Sequence, residues 1–184
     1  STSVTMTQPA MLGSSAAVTS VLDCFSDTDG QVTASASGGT TPYTYSWNTG
    51  GTFAQETGLG AGTYSVTITD QNGCTDSTSV TMTQPAMLGS SAAVTSALDC
   101  FNDTDGQVTA SATGGNTPYT FAWNTGGTFS QETSLGAGTY SITITDQNGC
   151  TDSTSVTMTQ PATLGSSAAV TSALDCFNDT DGQV

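Results

Sequence analysis

Residues 59–73 read LGAGTYSVTITDQNG, and they decide the fold class. Three apolar side chains in this stretch, Tyr64, Val66 and Ile68, alternate with Ser and Thr residues. Such alternation predicts a β-strand that buries one face. The Asn-Gly pair that closes the stretch is a strong hairpin signal, because both residues accept the positive φ angles of a tight turn. A strand that runs into a hairpin indicates an all-β protein.

Similar alternation recurs at short intervals along the chain. The predicted strands are residues 31–37, 43–47, 63–70 and 78–83. Turns rich in Gly and Asn separate them. Trp47 alternates in phase with Tyr43 and Tyr45, and we interpret these aromatic side chains as core rather than as a sugar-binding platform. Residues 59–64 resemble a tyrosine corner, so the sequence predicts an immunoglobulin-like, Greek-key β-sandwich.

The whole pattern repeats with a period of 76 residues. Residues 11–86 align with residues 87–162 without a gap and with nine differences. A period of this length is too long for a solenoid and suits a small autonomous domain. We therefore predict two tandem immunoglobulin-like repeats, 11–86 and 87–162, in an extended rod. Residues 1–10 would be the end of a preceding repeat, and residues 163–184 the start of a following one.

The chain contains no Lys, Arg or His against 15 Asp and Glu residues, which gives a net charge of −15. With no cationic side chain, the fold must depend on apolar burial, backbone hydrogen bonds and covalent links. The charge argues against nucleic acid and against anionic membrane surfaces as partners. It also makes crowded copies soluble and mutually repelling. No run of 18 apolar residues occurs, so we expect no direct membrane insertion.

The same composition argues against catalysis. Without His, Lys or Arg, most general bases, Schiff-base lysines and phosphate clamps are excluded. Paired carboxylates can hydrolyse glycosides, but Glu56 and Glu132 are the only Glu residues, one in each repeat. The sequence predicts that the protein is not an enzyme.

Two longer strings carry a resemblance to a known family: GGTTPYTYSW at residues 38–47 and LGAGTYSVTITDQNGC at residues 59–74. With Cys24, the Asp-Gly turn at residues 29–30 and the closing Thr-Gln-Pro at residues 83–85, they resemble the SprB-type repeats of giant surface adhesins in gliding Bacteroidota. The resemblance covers essentially the whole period in both copies. It implies export by the type IX secretion system and an extracellular position on the cell surface.

The resemblance and the repetition together predict a mechanical role. We expect a stalk segment of a large secreted adhesin or filament, which acts as a disulfide-stiffened spacer in adhesion and gliding motility. Its expected partners are neighbouring repeats, lateral copies in a fibre, and the gliding or outer-membrane anchoring machinery, reached through other parts of the protein. The alternative is a multivalent repeat module that itself binds surface polysaccharide or substratum.

Five cysteines occur at two sites per period: Cys24, Cys74, Cys100, Cys150 and Cys176. In an extracellular chain without His, disulfides fit them better than metal or catalytic roles. One possibility is a bond within each repeat, Cys24–Cys74 and Cys100–Cys150. A second is a bond between repeats, Cys24–Cys150. A third pairs Cys74 with Cys100 across a hairpin.

The number of strands bears on this choice. In a seven-strand sandwich, the loops that hold Cys24 and Cys74 lie at opposite ends, some 25 Å apart for strands of about eight residues. A disulfide needs Cα atoms within about 7 Å, so seven strands favour the bond between repeats. A six-strand repeat is expected to restore the bond within the repeat. The sequence leaves both pairings open.

An Asp-x-Asp-Gly pattern with a further Asp nearby recurs in each repeat. The candidate calcium ligands are Asp23, Asp27, Asp29, Asp99, Asp103 and Asp105. Alternating oxygen ligands before a Gly resemble part of a calcium loop, but the bidentate Glu of an EF-hand is missing. We prefer a plain Asx turn as the interpretation of this pattern. A calcium site at the junction would require a neighbouring repeat to supply Asp70 or Asp76. We predict weak calcium binding at most, and no other cofactor.

Ser77 and Ser153 follow an Asp and precede a Thr. This arrangement resembles the acceptor pattern of Bacteroidota-type O-glycosylation. Both serines are therefore predicted glycosylation sites.

Overall fold

The computed structural model describes residues 3–169, 171 and 177. The first repeat contains β1 (Gly13–Ser20), β2 (Gly30–Ser37), β3 (Thr44–Trp47), β4 (Gln55–Leu59), β5 (Gly62–Thr69) and β6 (Thr75–Met82). The second contains β7 (Gly89–Ser96), β8 (Gly106–Thr113), β9 (Thr120–Trp123), β10 (Gln131–Leu135), β11 (Gly138–Thr145) and β12 (Thr151–Met158). No helix capable of crossing a membrane is found in the part of the chain that the structure describes.

Each repeat is a sandwich of two three-stranded antiparallel sheets. In the first repeat the sheets have the orders β1-β2-β4 and β3-β5-β6, and the second repeat has the same arrangement. This distribution of strands is that of an immunoglobulin domain with one strand fewer than the usual seven. The predicted all-β, immunoglobulin-like sandwich is confirmed.

Strands β3 and β4 together occupy the length of a single strand. β3 pairs with the last half of β5 and ends at Trp47, opposite Val66 in the middle of that strand. The chain then crosses to the other sheet, where β4 pairs with the first half of β2 and ends with Leu59 opposite Gly30. Because β3 and β4 run in the same direction, the six strands cross the length of the repeat only five times.

Strands β1 and β6 lie side by side and run in the same direction. β1 pairs antiparallel with β2, and β6 pairs antiparallel with β5. We call the end of a repeat at which β1 and β6 begin the proximal end, and the end at which they finish the distal end. Ser14 and Asp76 lie at the start of these strands and connect them by hydrogen bonds.

The core of each repeat forms where the apolar faces of the two sheets meet. In the first repeat the buried residues are Leu22, Val32, Ala34, Trp47, Leu59, Val66, Ile68 and Met82. Trp47 is only 3% exposed, and its Nε1–H donates to the backbone oxygen of Phe53 at 2.8 Å. That bond satisfies the one polar atom of the indole, as burial of a Trp requires. Of the aromatic residues predicted to form the core, Trp47 is buried, and Tyr43 and Tyr45 are partly buried and pack against the core.

The tyrosine corner is present in both repeats. The Tyr64 hydroxyl donates to the backbone oxygen of Gly60 at 2.7 Å, and Tyr140 donates to Gly136 at 2.8 Å. Each bond fixes the turn that connects the fourth strand of a repeat to the fifth. The resemblance seen in the sequence therefore corresponds to the hydrogen bond that defines the feature.

A glycine substitution tests whether each repeat folds by itself. A Cβ atom on Gly30 would approach the backbone oxygen of Leu59 to 2.7 Å and collide with Met82. Gly30→Ala should destabilise the first repeat by about 1–3 kcal/mol, as other over-packed cores are destabilised. Denaturant unfolding of the reduced chain, followed by Trp fluorescence, should then show two transitions, of which only one moves to lower denaturant.

Gly60→Ala is the matched control, because its Cβ would meet the backbone oxygen of Asp27 at an ordinary 3.5 Å. This control should change the unfolding curve little. One shared transition that shifts as a whole in Gly30→Ala would contradict the independence of the repeats.

Candidate functional site

The two repeats are joined by a disulfide between Cys24 and Cys150. Cys24 lies in the β1–β2 loop at the distal end of the first repeat. Cys150 directly precedes β12 at the proximal end of the second repeat. Their Cα atoms are 5.7 Å apart, and 126 positions of sequence separate them. The bond is therefore a second covalent connection across the junction, in addition to the backbone.

The alternative pairings within the repeats, Cys24–Cys74 and Cys100–Cys150, are not formed. Between Cys24 and Cys74 the chain crosses the repeat three times: along β2, along β3 with β4, and along β5. An odd number of crossings leaves the two cysteines at opposite ends. The expectation that a six-strand repeat restores the internal bond was wrong, because two of its strands run in the same direction and count as one crossing.

The remaining described cysteines, Cys74 and Cys100, are exposed thiols. Cys74 lies at the proximal end of the first repeat and Cys100 at the distal end of the second. These are the two ends that face away from the junction, so the third pairing, Cys74–Cys100 across a hairpin, is also absent. Cys176 lies outside the described residues.

The connecting segment is attached to both repeats. Gln84 accepts the backbone N–H of Ser26, in the distal loop of the first repeat, at 2.9 Å. The backbone oxygen of Ala86 accepts the N–H of Gly115, in the second repeat, at 2.9 Å. Residues 83–86 are therefore held on both sides and do not form a free tether.

Beside the disulfide, a shallow cleft of about 530 Å³ separates the repeats. Its lining residues are Cys24, Phe25, Met87, Leu88, Gly149, Cys150, Thr151 and Asp152. Phe25 remains 46% exposed and Met87 64% exposed, so apolar contact across the junction is slight. Asn148 adds one direct hydrogen bond, from its Nδ2 to the backbone oxygen of Asp23 at 2.9 Å. The covalent bond therefore does most to hold the repeats together here.

A buried carboxylate shapes the turn that presents Cys150. Asp146 is 5% exposed, and its Oδ1 accepts the backbone N–H groups of Asn148 and Cys150, both at 2.9 Å. Its Oδ2 accepts the N–H of Asn116 at 2.8 Å. The bond from Asn116, together with those from Cys150 and Asn148, outweighs burial and lowers the pKa of Asp146 from its usual 3.8.

Asp70 holds the equivalent turn in the first repeat. Burial is the largest single influence and raises its pKa, but hydrogen bonds from the backbone of Cys74, Thr40 and Asn72 together outweigh it. The resulting pKa of Asp70 lies below its usual value of 3.8. The turn next to Cys74 is thus built in the same way as the turn next to Cys150.

A second carboxylate in each repeat connects the two sheets. Asp76 Oδ2 accepts the backbone N–H of Ser14 at 2.7 Å and its hydroxyl at 2.8 Å. Asp152 accepts the same two groups of Ser90, at 2.6 and 2.7 Å. The serine hydroxyl, followed by its backbone N–H, lowers the pKa of each carboxylate from 3.8. A carboxylate paired with N–H and O–H donors takes the place of a salt bridge between β1 and β6.

The structure places the predicted calcium ligands in the distal loops. These residues are Asp23, Asp27, Asp29, Asp99, Asp103 and Asp105. Within the described residues, no three acidic or Cys side chains converge on one point. Asp70 and Asp76, the proposed additional ligands, already accept hydrogen bonds from backbone N–H groups and from Ser14. Calcium binding stays a prediction.

The predicted glycosylation sites lie on an exposed surface. Ser77 in β6 and Ser153 in β12 are both exposed. Their hydroxyls lie 3.0 Å from that of Thr67 and 2.9 Å from that of Thr143. Glycosylation of these serines stays a prediction.

A family model, SprB repeat, matches the chain at residues 16–52 and 92–128. The chain carries two SprB repeats. Each match extends from β1, or its copy β7, to just beyond the tryptophan strand of the same repeat, so it includes Cys24 or Cys100 but neither Cys74 nor Cys150. SprB repeats are found in cell-surface proteins, and a disulfide fits an extracellular location.

Several solved structures are similar to this pair of SprB repeats. A C-terminal fragment of intimin, solved with the intimin-binding domain of its translocated receptor, has a TM-score of 0.38 at 14% identity, over 84% of this chain and 64% of the fragment. The eight N-terminal immunoglobulin domains of Down syndrome cell adhesion molecule have a TM-score of 0.38 at 11% sequence identity. This match covers 83% of this chain and 25% of that structure. Murine CEACAM1b has a TM-score of 0.32 at 12% sequence identity, and the match covers 81% of this chain and 100% of CEACAM1b.

The chain thus spans less than two thirds of the first two of these structures. None of the curated proteins compared with the chain matches it.

The carboxylates that connect the sheets predict a pH dependence. Because the pKa values of Asp76 and Asp152 are lower in the folded state, ionisation stabilises the fold above about pH 4, and this stability is lost as pH falls through the folded values. Asp76→Asn with Asp152→Asn should lower the Tm at pH 7. It should also reduce the fall in Tm between pH 6 and pH 3, measured by circular dichroism.

The control is Asp29→Asn with Asp105→Asn, which removes the same number of charges from exposed positions. With calcium chelated, this control should keep the parent's pH dependence. If both double variants lose it equally, net charge rather than the bonds to Ser14 and Ser90 is responsible.

Proposed function

We propose that the chain is a stalk segment of a large secreted adhesin and acts as a mechanical spacer in adhesion and gliding motility. The observation that supports this most is the Cys24–Cys150 bond, which links neighbouring repeats instead of closing each one. A bond in that place does little for a single domain. Its effect is on the connection between domains.

The junction has the attachments that a stiff spacer needs. A single flexible linker allows two domains to swivel, whereas two covalent connections at separate points restrict their relative rotation. The second connection here is the disulfide, and the linker itself is hydrogen-bonded through Gln84 and Ala86 to both repeats. The proposal assigns stiffness to the junction and no catalytic step to any residue.

The position of the disulfide also determines how tension would pass through the chain. A pull on the N-terminus reaches β1 at its proximal end, and Cys24 follows the distal end of the same strand. From Cys150, the chain continues directly into β12 and out of the second repeat. Tension therefore follows β1, the disulfide and β12, and it bypasses residues 25–149, which the bond encloses.

Such a path suits a stalk that is pulled by moving cells. The two strands that carry the load are each held along their length, β1 by β2 and β12 by β11. The other strands of both repeats stay outside the covalent load path. The repeats can therefore transmit force without unfolding, which is what a spacer of constant length requires.

Pulling a single molecule by its two ends tests this function. In the oxidised chain only residues 1–24 and 150–184 can extend, 59 residues or roughly 200 Å of contour. We expect no domain-unfolding events in this state. In the reduced chain all 184 residues extend, to roughly 630 Å, after two unfolding events.

Cys24→Ser is the control, and it should behave like the reduced chain under oxidising conditions. Bonds within the repeats would instead leave 86 residues extensible, roughly 290 Å. An oxidised chain that extends this far, or that unfolds domain by domain, would contradict the load-bearing role.

A further inference from the structure

The Cys24–Cys150 bond divides the chain into two parts that respond differently to proteolysis. The enclosed segment is residues 25–149, which lie between the two bonded cysteines. We call residues 1–24 together with residues 150–176 the load path, because the disulfide joins them directly. A cut in the enclosed segment leaves the load path continuous, whereas a cut in the load path interrupts it. The place at which an endopeptidase cuts therefore determines whether the stalk is severed.

The load path lacks the side chains that three large classes of endopeptidase recognise. Trypsin-like enzymes cleave after Lys or Arg, chymotrypsin-like enzymes prefer to cleave after aromatic residues, and glutamyl endopeptidases cleave after Glu. The chain has no Lys and no Arg at all. Residues 1–24 and 150–176 also contain no Phe, Tyr, Trp or Glu. None of the three classes finds a preferred residue in the load path.

The recognised residues are concentrated in the enclosed segment. All aromatic residues of the chain except Phe177 fall within residues 25–149. Both Glu residues, Glu56 and Glu132, fall there as well. In residues 1–176, the preferred cleavage sites of these enzymes are therefore all sites that the disulfide bypasses.

Several of these residues are accessible in the folded protein. Phe53 is 77% exposed in the loop between β3 and β4, and its copy Phe129 is 76% exposed. Phe25 and Phe101, in the distal loops, are 46% and 45% exposed. An enzyme that recognises aromatic residues would thus meet the enclosed segment first at these loops.

The unequal distribution has a structural reason. The load path contains β1 and β12, which lie at sheet edges and consist mostly of small residues. Large core side chains come from the enclosed strands, such as Trp47 in β3 and Tyr64 in β5. The fold therefore places its aromatic residues outside the strands that carry tension.

The strands of the load path are also protected by pairing. β1 pairs with β2 from Gly13 to Ser20, and β12 pairs with β11 from Thr151 to Met158. An endopeptidase binds its substrate as an extended, unpaired chain, so a strand held in a sheet is cleaved only when it opens locally.

The enclosed segment includes the connection between the repeats. Residues 83–86 lie within it, and the neighbouring Met87 is 64% exposed. In tandem domains joined by backbone alone, one cut in such a connection separates the domains. Bonds within each repeat would not bypass residues 83–86, whereas the Cys24–Cys150 bond does.

We propose that the junction disulfide keeps the stalk continuous when endopeptidases cut it. Enzymes that recognise cationic, aromatic or glutamate side chains cut residues 1–176 only in the enclosed segment, and the Cys24–Cys150 bond then carries the tension alone. This inference rests on the proposed spacer function and adds to it resistance to severing. The spacer keeps its length and its connection after its backbone has been broken.

The chemistry of cleavage leaves the bond intact. Each cut adds one water molecule across a peptide bond and produces a new carboxylate and a new amino group. No electrons are transferred, so the sulfur atoms of Cys24 and Cys150 stay bonded. Only a reductant that supplies two electrons would open the load path.

A pair of variants places the same cleavage site on either side of the disulfide. Phe53→Glu introduces a site for a glutamyl endopeptidase at an exposed position of the enclosed segment. The bond from Trp47 goes to the backbone oxygen of Phe53, so the substitution should leave it in place. Met6→Glu is the matched control, because Met6 is 93% exposed but lies in the load path.

All variants also carry Cys74→Ser, Cys100→Ser and Cys176→Ser, so that Cys24 and Cys150 are the only cysteines. Single molecules are held by their two ends, through attachments without Glu, at a force that unfolds the reduced repeats.

Oxidised Phe53→Glu molecules should stay attached while the glutamyl endopeptidase acts. After the enzyme has been washed away, a reductant should release them, because only the disulfide still joins the two parts. Phe53→Glu combined with Cys24→Ser should be lost during the enzyme treatment. Oxidised Met6→Glu should be lost at that stage too, because its cut interrupts the load path.

The proposal is overturned if oxidised Phe53→Glu molecules are lost as fast as those that also carry Cys24→Ser. It is also overturned if they stay attached after reduction, because the exposed loop would then not have been cut. Both results concern proteolysis and leave the spacer function intact. Stepwise unfolding of the oxidised molecule before the enzyme is added would instead contradict the spacer function itself.

Discussion

The constraint on which the junction depends is the direction of β3 and β4. These two half-length strands run in the same direction, one in each sheet, so the chain crosses the repeat an odd number of times between Cys24 and Cys74. The cysteines of one repeat are therefore too far apart to bond. Within the protein, each can form a disulfide only with a cysteine of another repeat, as Cys24 does with Cys150.

The chain has no cationic side chains, so its carboxylates accept hydrogen bonds where they cannot form salt bridges. Where other proteins place a salt bridge, the carboxylates of Asp76 and Asp146 accept backbone N–H groups or a serine hydroxyl. Such bonds to a charged acceptor are among the stronger hydrogen bonds in proteins. They define the positions of β1 and of the cysteine-bearing turn without any cationic side chain, so that the ionised side chains of the protein are all negative.

The sequence predicted the layers of the fold because its strongest signals lie in the core. Trp47, Val66 and Ile68 are buried as expected, and Tyr64 is partly buried against them. Strands β1 and β4 were not predicted, because their residues are mostly small or polar and show little apolar alternation. Because β4 was not predicted, the sequence did not reveal that the strand after β3 runs in the same direction as β3 instead of reversing. The inference that six strands favour a bond within the repeat failed at that point.

Cleavage after aromatic residues tests the central claim directly, once free thiols in the oxidised chain have been alkylated. This cleavage places Cys24 in residues 1–25 and Cys150 in residues 141–177, whereas Cys74 and Cys100 share residues 65–101. In a Cys176→Ser variant, in which Cys150 is the one cysteine of peptide 141–177, mass spectrometry should find peptide 1–25 linked to peptide 141–177, and alkyl groups on Cys74 and Cys100. Peptide 1–25 linked to peptide 65–101 would contradict the account.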